Sequence, residues 1–210
     1  MTALVSRLAW TLLVGTLSLS ARADVILSTF GPGDSYLTST VRPIAGTANI
    51  ITPGYRGVGT TFSPGDSYTL DSFEMALKHN NANNSYKFNL APDVAGQPGT
   101  PLESWVISLP GVDSVVQISS IAHPLLDAGA TYWLTIQPTA ANQFGFWYVN
   151  DQGIDTGSVK SQLTSSSTAW TSVANSDLAY RVKGTLSTPE PGTLALLVIG
   201  LATGLLRRRR

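Results

Sequence analysis

Residues 24–188 predict an all-β domain, an antiparallel β-sandwich of jelly-roll type, with a closed barrel as the alternative. Three observations predict it. Apolar side chains in this body recur with period two, the pattern of strands with one wet face. Pro-Gly and Asp-Ala-Gly groups, which turn the chain through fixed or positive φ, separate those runs at short intervals. No stretch of the body sustains the apolar stripe of an amphipathic helix. The sandwich is flanked by an N-terminal signal peptide and a C-terminal transmembrane helix.

The first element is residues 1–23. Arg7 supplies a positive start, Leu8 to Leu19 an apolar run, and Ala21-Arg22-Ala23 a small-x-small cleavage site before Asp24. Ala21 and Ala23 are the positions that signal peptidase must read, because its pockets there admit only small side chains. Twelve residues of helix reach about 18 Å, too short for a permanent span of the roughly 30 Å hydrocarbon core. The mature chain is expected to begin at Asp24.

The body has about 165 residues, enough for one domain with its own core. Its clearest strands are Tyr86-Phe88-Leu90, Tyr132-Leu134-Ile136 and Leu178-Tyr180-Val182-Leu186, each alternating with polar neighbours. Further strands are expected at Val25–Phe30, Leu70–Leu77, Ser104–Leu109, Val112–Ile118 and Gly145–Val149. Turns fall at Pro64-Gly65-Asp66, Gln97-Pro98-Gly99, Pro110-Gly111 and Asp127-Ala128-Gly129. One echo appears: Phe30-Gly-Pro-Gly-Asp-Ser-Tyr36 returns as Phe62-Ser-Pro-Gly-Asp-Ser-Tyr68. Two copies do not make a repeat array, and they read as shared turn chemistry.

The last element is residues 189–210. Pro189-Glu190-Pro191 is an extended connector. Thr193 to Leu206 is an uncharged run able to form a membrane helix of about 21 Å, and Arg207, Arg208, Arg209 and Arg210 stop translocation. A span that marginal suits a transient anchor. These pieces closely resemble the PEP-CTERM sorting signal of Gram-negative bacteria. That resemblance implies cleavage near Pro189, Glu190 and Pro191 by an exosortase, a membrane protease. In the body, Thr61-Phe-Ser-Pro-Gly65 with Tyr68-Thr-Leu-Asp-Ser-Phe73, Gly96-Gln-Pro-Gly99, and Leu126-Asp-Ala-Gly129 with Tyr132-Trp-Leu134 resemble the choice-of-anchor ectodomains, type R. The implication is an anchored β-rich ectodomain, with no catalytic residues to carry over.

Composition narrows the function. The chain has 13 Lys+Arg, 13 Asp+Glu and no cysteine. Six of the basic residues lie in the two terminal segments, so the body holds 7 basic against 12 acidic residues, a net charge of −5. An acidic body without a basic patch argues against nucleic acid as the main partner. The missing cysteine excludes disulfides, thiolate zinc and a thiol nucleophile.

Candidate chemistry in the body is sparse. His79 and His123 have no HExxH or HxH spacing, and no Gly-x-Ser-x-Gly elbow supports a serine triad. Glu74 and Glu103 are the body's two glutamates, and a glycoside hydrolase would need them paired. Asn150, Asp151 and Asp155 around Gly153, with Asp34, Asp66 and Asp71 at turns, offer oxygens for structural Ca²⁺, but too few at any one place; Asx turns explain the same residues. No cofactor is expected. Asn83-Asn84-Ser85 fits a glycosylation sequon and is assigned no role.

Aromatics give the one hint of binding. In Tyr132-Trp133 and Trp147-Tyr148 adjacent rings must face opposite sides of a sheet. Core packing explains such rings, and if one of each pair is exposed, Trp133 and Trp147 are the candidates for stacking on sugar. The expectation is a non-enzymatic, exosortase-processed surface or exopolysaccharide-matrix protein. It would pass signal peptidase and the inner membrane on its way. A surface lectin using Trp133 or Trp147 is the alternative, and a divergent sandwich enzyme the third reading.

Overall fold

A computed structural model describes residues 23–187, apart from 50, 52–53, 82, 156–158, 163–168 and 174–176. No helix among the described residues is long and apolar enough to cross a membrane. The helix expected at 193–206 lies outside them.

The described residues form strands β1 (Asp24–Ser28), β2 (Leu37–Ala45), β3 (Gly57–Phe62), β4 (Tyr68–His79), β5 (Ser85–Val94), β6 (Gln97–Pro98) and β7 (Glu103–Ser108). They continue with β8 (Ser114–Ser119), β9 (Leu125–Leu126), β10 (Tyr132–Pro138), β11 (Phe144–Val149), β12 (Lys160–Gln162), β13 (Thr171–Ser172) and β14 (Tyr180–Leu186). Every strand expected from period two is present. The reading misses β2 and β3 and the short β6, β9, β12 and β13; Arg42 and Pro43 interrupt the alternation of β2, and Gly57 and Gly59 that of β3.

The strands form two seven-stranded antiparallel sheets, not a closed barrel. The first runs β1-β14-β4-β11-β2, with β8 and β9 also on β4; the second runs β13-β12-β3-β10-β5-β6, with β7 on β5. Leu77 of β4 pairs with Trp147 of β11 and with Ser114 of β8, while Ser72 pairs with Lys183 of β14 and with Ser119 of β8. A residue has only two hydrogen-bonding edges, so β11 and β14 lie end to end along one side of β4. From β2 onward the chain passes repeatedly between the sheets, the winding of a jelly roll.

The core lies between the sheets. Phe73, Met75, Leu77, Ile118, Trp147, Tyr180 and Val182 from the first sheet meet Val58, Phe62, Phe88, Leu90, Leu134 and Ile136 from the second. Each large apolar side chain buried this way contributes about 1.5–3 kcal/mol. Inward positions on β4 change parity from Leu70 to Phe73, because pairing steps from Gly184–Leu70 to Lys183–Ser72 and leaves Asp71 unpaired. This bulge lets a 12-residue strand bend with the sandwich. Gly184 sits at the step, where a Cβ would come within 2.6 Å of the Thr69 carbonyl oxygen.

The two copies of the echo fold differently. The first makes a 3-10 turn at Pro32–Asp34 with Gly33 at φ 69° and Asp34 at φ 62°; in the second neither Gly65 nor Asp66 takes a positive φ. Asp34 is held by Arg181 of β14. Shared sequence therefore does not mean shared turn chemistry here, because a distant cation holds one copy.

Candidate functional site

Tyr132, Leu134 and Ile136 of β10 face the core, so Trp133, Thr135 and Gln137 face outward on the second sheet. Register extends this outer face into a row across five strands: Lys160, Gly59, Thr135, Asn89 and Ser104. Asn89 sits at its centre, donating to Thr135 Oγ1 at 3.1 Å and to Gln137 Oε1 at 3.2 Å, and accepting from the Ser104 hydroxyl at 2.8 Å. Gln137 carries this polar network on to Gln162 Oε1 at 2.5 Å, and such a network rigidifies the face.

Neither tryptophan proposed for sugar stacking is exposed. Trp133 is 1% and Trp147 is 0% accessible. The opposite facing of adjacent rings is correct, but both sides of each sheet are covered at these points. Tyr132 packs inward on Phe62 with ring centroids 5.8 Å apart. Trp133 points outward and is roofed by Trp170 at 6.4 Å and by Lys160, whose Nζ lies 5.3 Å from the ring centroid. Trp147 is the inward ring of its pair. It packs edge-on against Tyr180 at 6.2 Å and donates its indole N–H to the Ala179 carbonyl at 3.0 Å. Tyr148 faces outward beneath Tyr36, 5.2 Å away, in a second small cluster with Phe30.

The two glutamates lie on different sheets, in β4 and β7, each held by structural partners. Glu74 pairs with Arg181 at 2.7 Å and with Lys183. Glu103 accepts from the Ser120 hydroxyl at 2.6 Å and from the backbone N–H groups of Ile121 and Ala122 at 2.6 and 3.1 Å. It thereby organises the turn after β8. His79 bonds the Asn81 carbonyl and His123 the Leu70 carbonyl through Nδ1. Among the described residues, Glu74, Glu103, His79 and His123 are each held by separate partners.

Asn150 is buried, and its Oδ1 accepts from the N–H groups of Gln152 and Ile154 at 3.0 and 3.1 Å, an Asx turn. The oxygen considered for Ca²⁺ is therefore turned onto backbone donors. Asp177 is raised above the ordinary carboxylate range by burial and by the charge of Asp155. No group of three or more His, Asp or Glu able to hold a metal ion occurs among the described residues.

The remaining expected site residues concern sorting. Ala23 is exposed immediately before β1. Ala21, Pro189, Glu190, Pro191 and Arg207 to Arg210 lie outside the described residues. What the sequence reading missed is a pair of arginines, Arg42 and Arg56. Each stands two residues before an inward apolar side chain, Ile44 and Val58. In a strand, that spacing puts a charge on the core-facing side.

Residues 187–210 match the PEP-CTERM protein-sorting motif. No curated protein matches the chain. Among solved structures, the chain is similar to the crystal structure of Yersinia pseudotuberculosis-derived mitogen (YPM), at 14% identity and a TM-score of 0.31, covering 56% of this chain and 89% of that one. The chain thus carries a sorting motif that implies export, exosortase processing and cell-surface delivery, on an all-β body.

Proposed function

We propose that this chain is a non-enzymatic structural protein of the cell surface or the exopolysaccharide matrix. It is exported through the inner membrane after signal peptidase removes residues 1–23. Residues 193–206 then hold it briefly until an exosortase cuts near Pro189 to Pro191. The observation that carries this reading is the sorting motif at 187–210. The body supports it, since Glu74 and Glu103 are committed to structural bonds rather than to each other. A rigid sandwich is suited to display, because its stability resides in the core and not in a mobile site.

The test is mass spectrometry of the protein from cells with and without the exosortase gene. With the enzyme, the expected product begins at Asp24 and ends near Pro191, and it leaves the inner-membrane fraction. Without it, the C-terminal arginines are retained and the chain stays in that fraction. Identical C-termini in the two strains would overturn the proposal.

A further inference from the structure

The chain enters and leaves the sandwich at one end. Asp24 of β1 pairs with Gly184 of β14, and two residues on Leu186 pairs with Tyr68, which pairs in turn with Leu126. Ser187 is still fastened there, its N–H donating to the Ser67 carbonyl at 2.8 Å. The second sheet ends at the same level, in the row Phe62, Tyr132 and Pro92. The turns that follow β3 and β9 tie the two sheets together, the Gly129 N–H donating to the Pro64 carbonyl at 2.8 Å.

Six of the eleven large apolar side chains exposed among the described residues gather at this end: Val25, Val94, Leu102, Ile121, Leu125 and Leu186. Leu186 and Leu125 stand on the last two pairs of the first sheet, and Val94 lies two residues beyond Pro92. Val25 pairs with Lys183, the Leu102 N–H donates to the Leu90 carbonyl, and Ile121 follows Ser120, whose N–H donates to the Asp71 carbonyl. None of these anchoring points is more than about 10 Å behind the end, at roughly 3.3 Å per residue. The 12 residues of β4 span about 40 Å, so this is a concentration and not an even scatter. Ile121, 82% exposed, is presented rigidly, because Glu103 accepts the N–H groups of Ile121 and Ala122.

The length of chain beyond this end says what covers it. Six residues separate Ser187 from the uncharged run that begins at Thr193, a reach of about 20 Å at most. A chain anchored by that run therefore holds this end, and not the far one, against the bilayer. Apolar patches mark contact surfaces, and a tether makes even weak contact effective. The exposed charges of the turns here, Asp24, Asp66 and Asp127, are acidic, so attraction to anionic lipid is not the cause.

We infer that this end of the sandwich docks on the lipid surface by its apolar side chains while the chain is anchored, which holds Pro189 to Pro191 at the membrane where the protease works; the inference rests on the anchor reading proposed above. The test uses the full chain, which has no cysteine, with a single Val94→Cys or Val112→Cys substitution labelled by a nitrobenzoxadiazole fluorophore. Val112 is exposed at the far end, just past Pro110, whose carbonyl accepts the N–H of His79 at the end of β4. The labelled chains are reconstituted with phosphatidylcholine vesicles containing lipid with a nitroxide on its acyl chain. Quenching is expected at position 94 and not at 112, and less of it with phosphatidylglycerol. About ten Gly and Ser residues inserted after Ser187 add roughly 17 Å of flexible reach, and quenching should persist. Adding Leu125→Asp and Leu186→Asp to the lengthened chain should abolish it with the melting temperature unchanged, and Ile121→Asp should act in the same direction.

Quenching lost on lengthening alone would overturn the inference, since the tether would then be its whole cause. So would equal quenching at both positions, or quenching indifferent to the three aspartate substitutions. Quenching that grows with the protein-to-lipid ratio, with energy transfer between labelled chains, would assign the end to a second copy instead. A chain that does not float with the vesicles refutes the anchor and the docking together; one that floats without quenching at 94 refutes the docking alone.

Discussion

Trp133 donates its indole N–H to Asp93 Oδ1 at 2.7 Å, joining the outer faces of β10 and β5. Oδ2 of the same carboxylate accepts from the Gly96 N–H at 3.0 Å; the Gly96 carbonyl accepts from Lys160, and Lys160 lies over the Trp133 ring. The four residues close a circuit. The turn inside it has Ala95 at φ 51° and Gly96 at φ 75°, the left-handed pair of a two-residue hairpin. An aromatic ring on the outside of a sheet is thereby fastened rather than offered.

Asp93→Ala should therefore cost about 1–3 kcal/mol, because it strands the buried indole N–H and frees the turn. Urea unfolding measures the loss, and the tryptophan emission should shift to the red as the ring is wetted. Unchanged emission and midpoint would show that the circuit carries no stability.

Glu74 is buried between two cations, Arg181 and Lys183. Glu74→Gln keeps the shape but takes the anion from Lys183 and leaves Arg181 with Asp34 alone. A loss of about 1.5–3 kcal/mol follows from the charged hydrogen bonds removed. Adding Arg181→Gln to it should cost less than the sum of the two single changes, since the pair acts as a unit. Additive losses would contradict the coupling.

Asp113 accepts from the Tyr148 hydroxyl at 2.6 Å and pairs with Lys78 at 3.1 Å. The Tyr148 bond first, and Lys78 next, hold its carboxyl below the usual range, while burial and Asp113 raise Tyr148 above a normal phenol. A depressed carboxyl stabilises the fold above its unfolded pKa, about 3.9, and that contribution is lost as pH falls through the folded value. A raised phenol stabilises it below about 10, and that contribution is lost as pH climbs past it. Tyr148→Phe should flatten both limbs of the stability-versus-pH curve, measured by urea unfolding from acid to alkali. A curve parallel to that of the unsubstituted protein would refute the assignment.

Gly145 lies where a Cβ would come within 2.7 Å of the Tyr86 hydroxyl and 2.9 Å of the Lys78 carbonyl oxygen. The Tyr86 hydroxyl is buried without a hydrogen-bond partner. Gly145→Ala should cost about 1–3 kcal/mol by overpacking. Tyr86→Phe should be close to neutral alone, since it deletes an unpartnered polar atom, and should restore part of the loss in the double substitution. Denaturant midpoints of the four proteins decide this, and a double variant no better than Gly145→Ala would refute the contact.

The strands were legible where one face is apolar and its alternation unbroken. Tyr86 to Leu90 and Tyr132 to Ile136 became β5 and β10, paired Leu90 to Leu134. β2 was illegible because its function as an end strand tolerates Pro43 and admits Arg42 on the inner side. The candidate sugar platform failed for a related reason. Alternation told which of Trp133 and Tyr132 faces outward, but not that Trp170 and Lys160, well over twenty residues downstream, would roof it.

By itself the amino-acid order determined the sorting motif, the all-β class and most of the strands. These depend on charge, apolar length and period, which are properties of neighbouring residues. Tertiary structure alone decided which outward rings are sealed, that Glu74 and Glu103 end on separate sheets, and that Val94 and Leu125 come to one end of the sandwich. Each of those outcomes turns on two segments meeting after the chain has crossed between sheets, and no local pattern encodes where such a crossing lands.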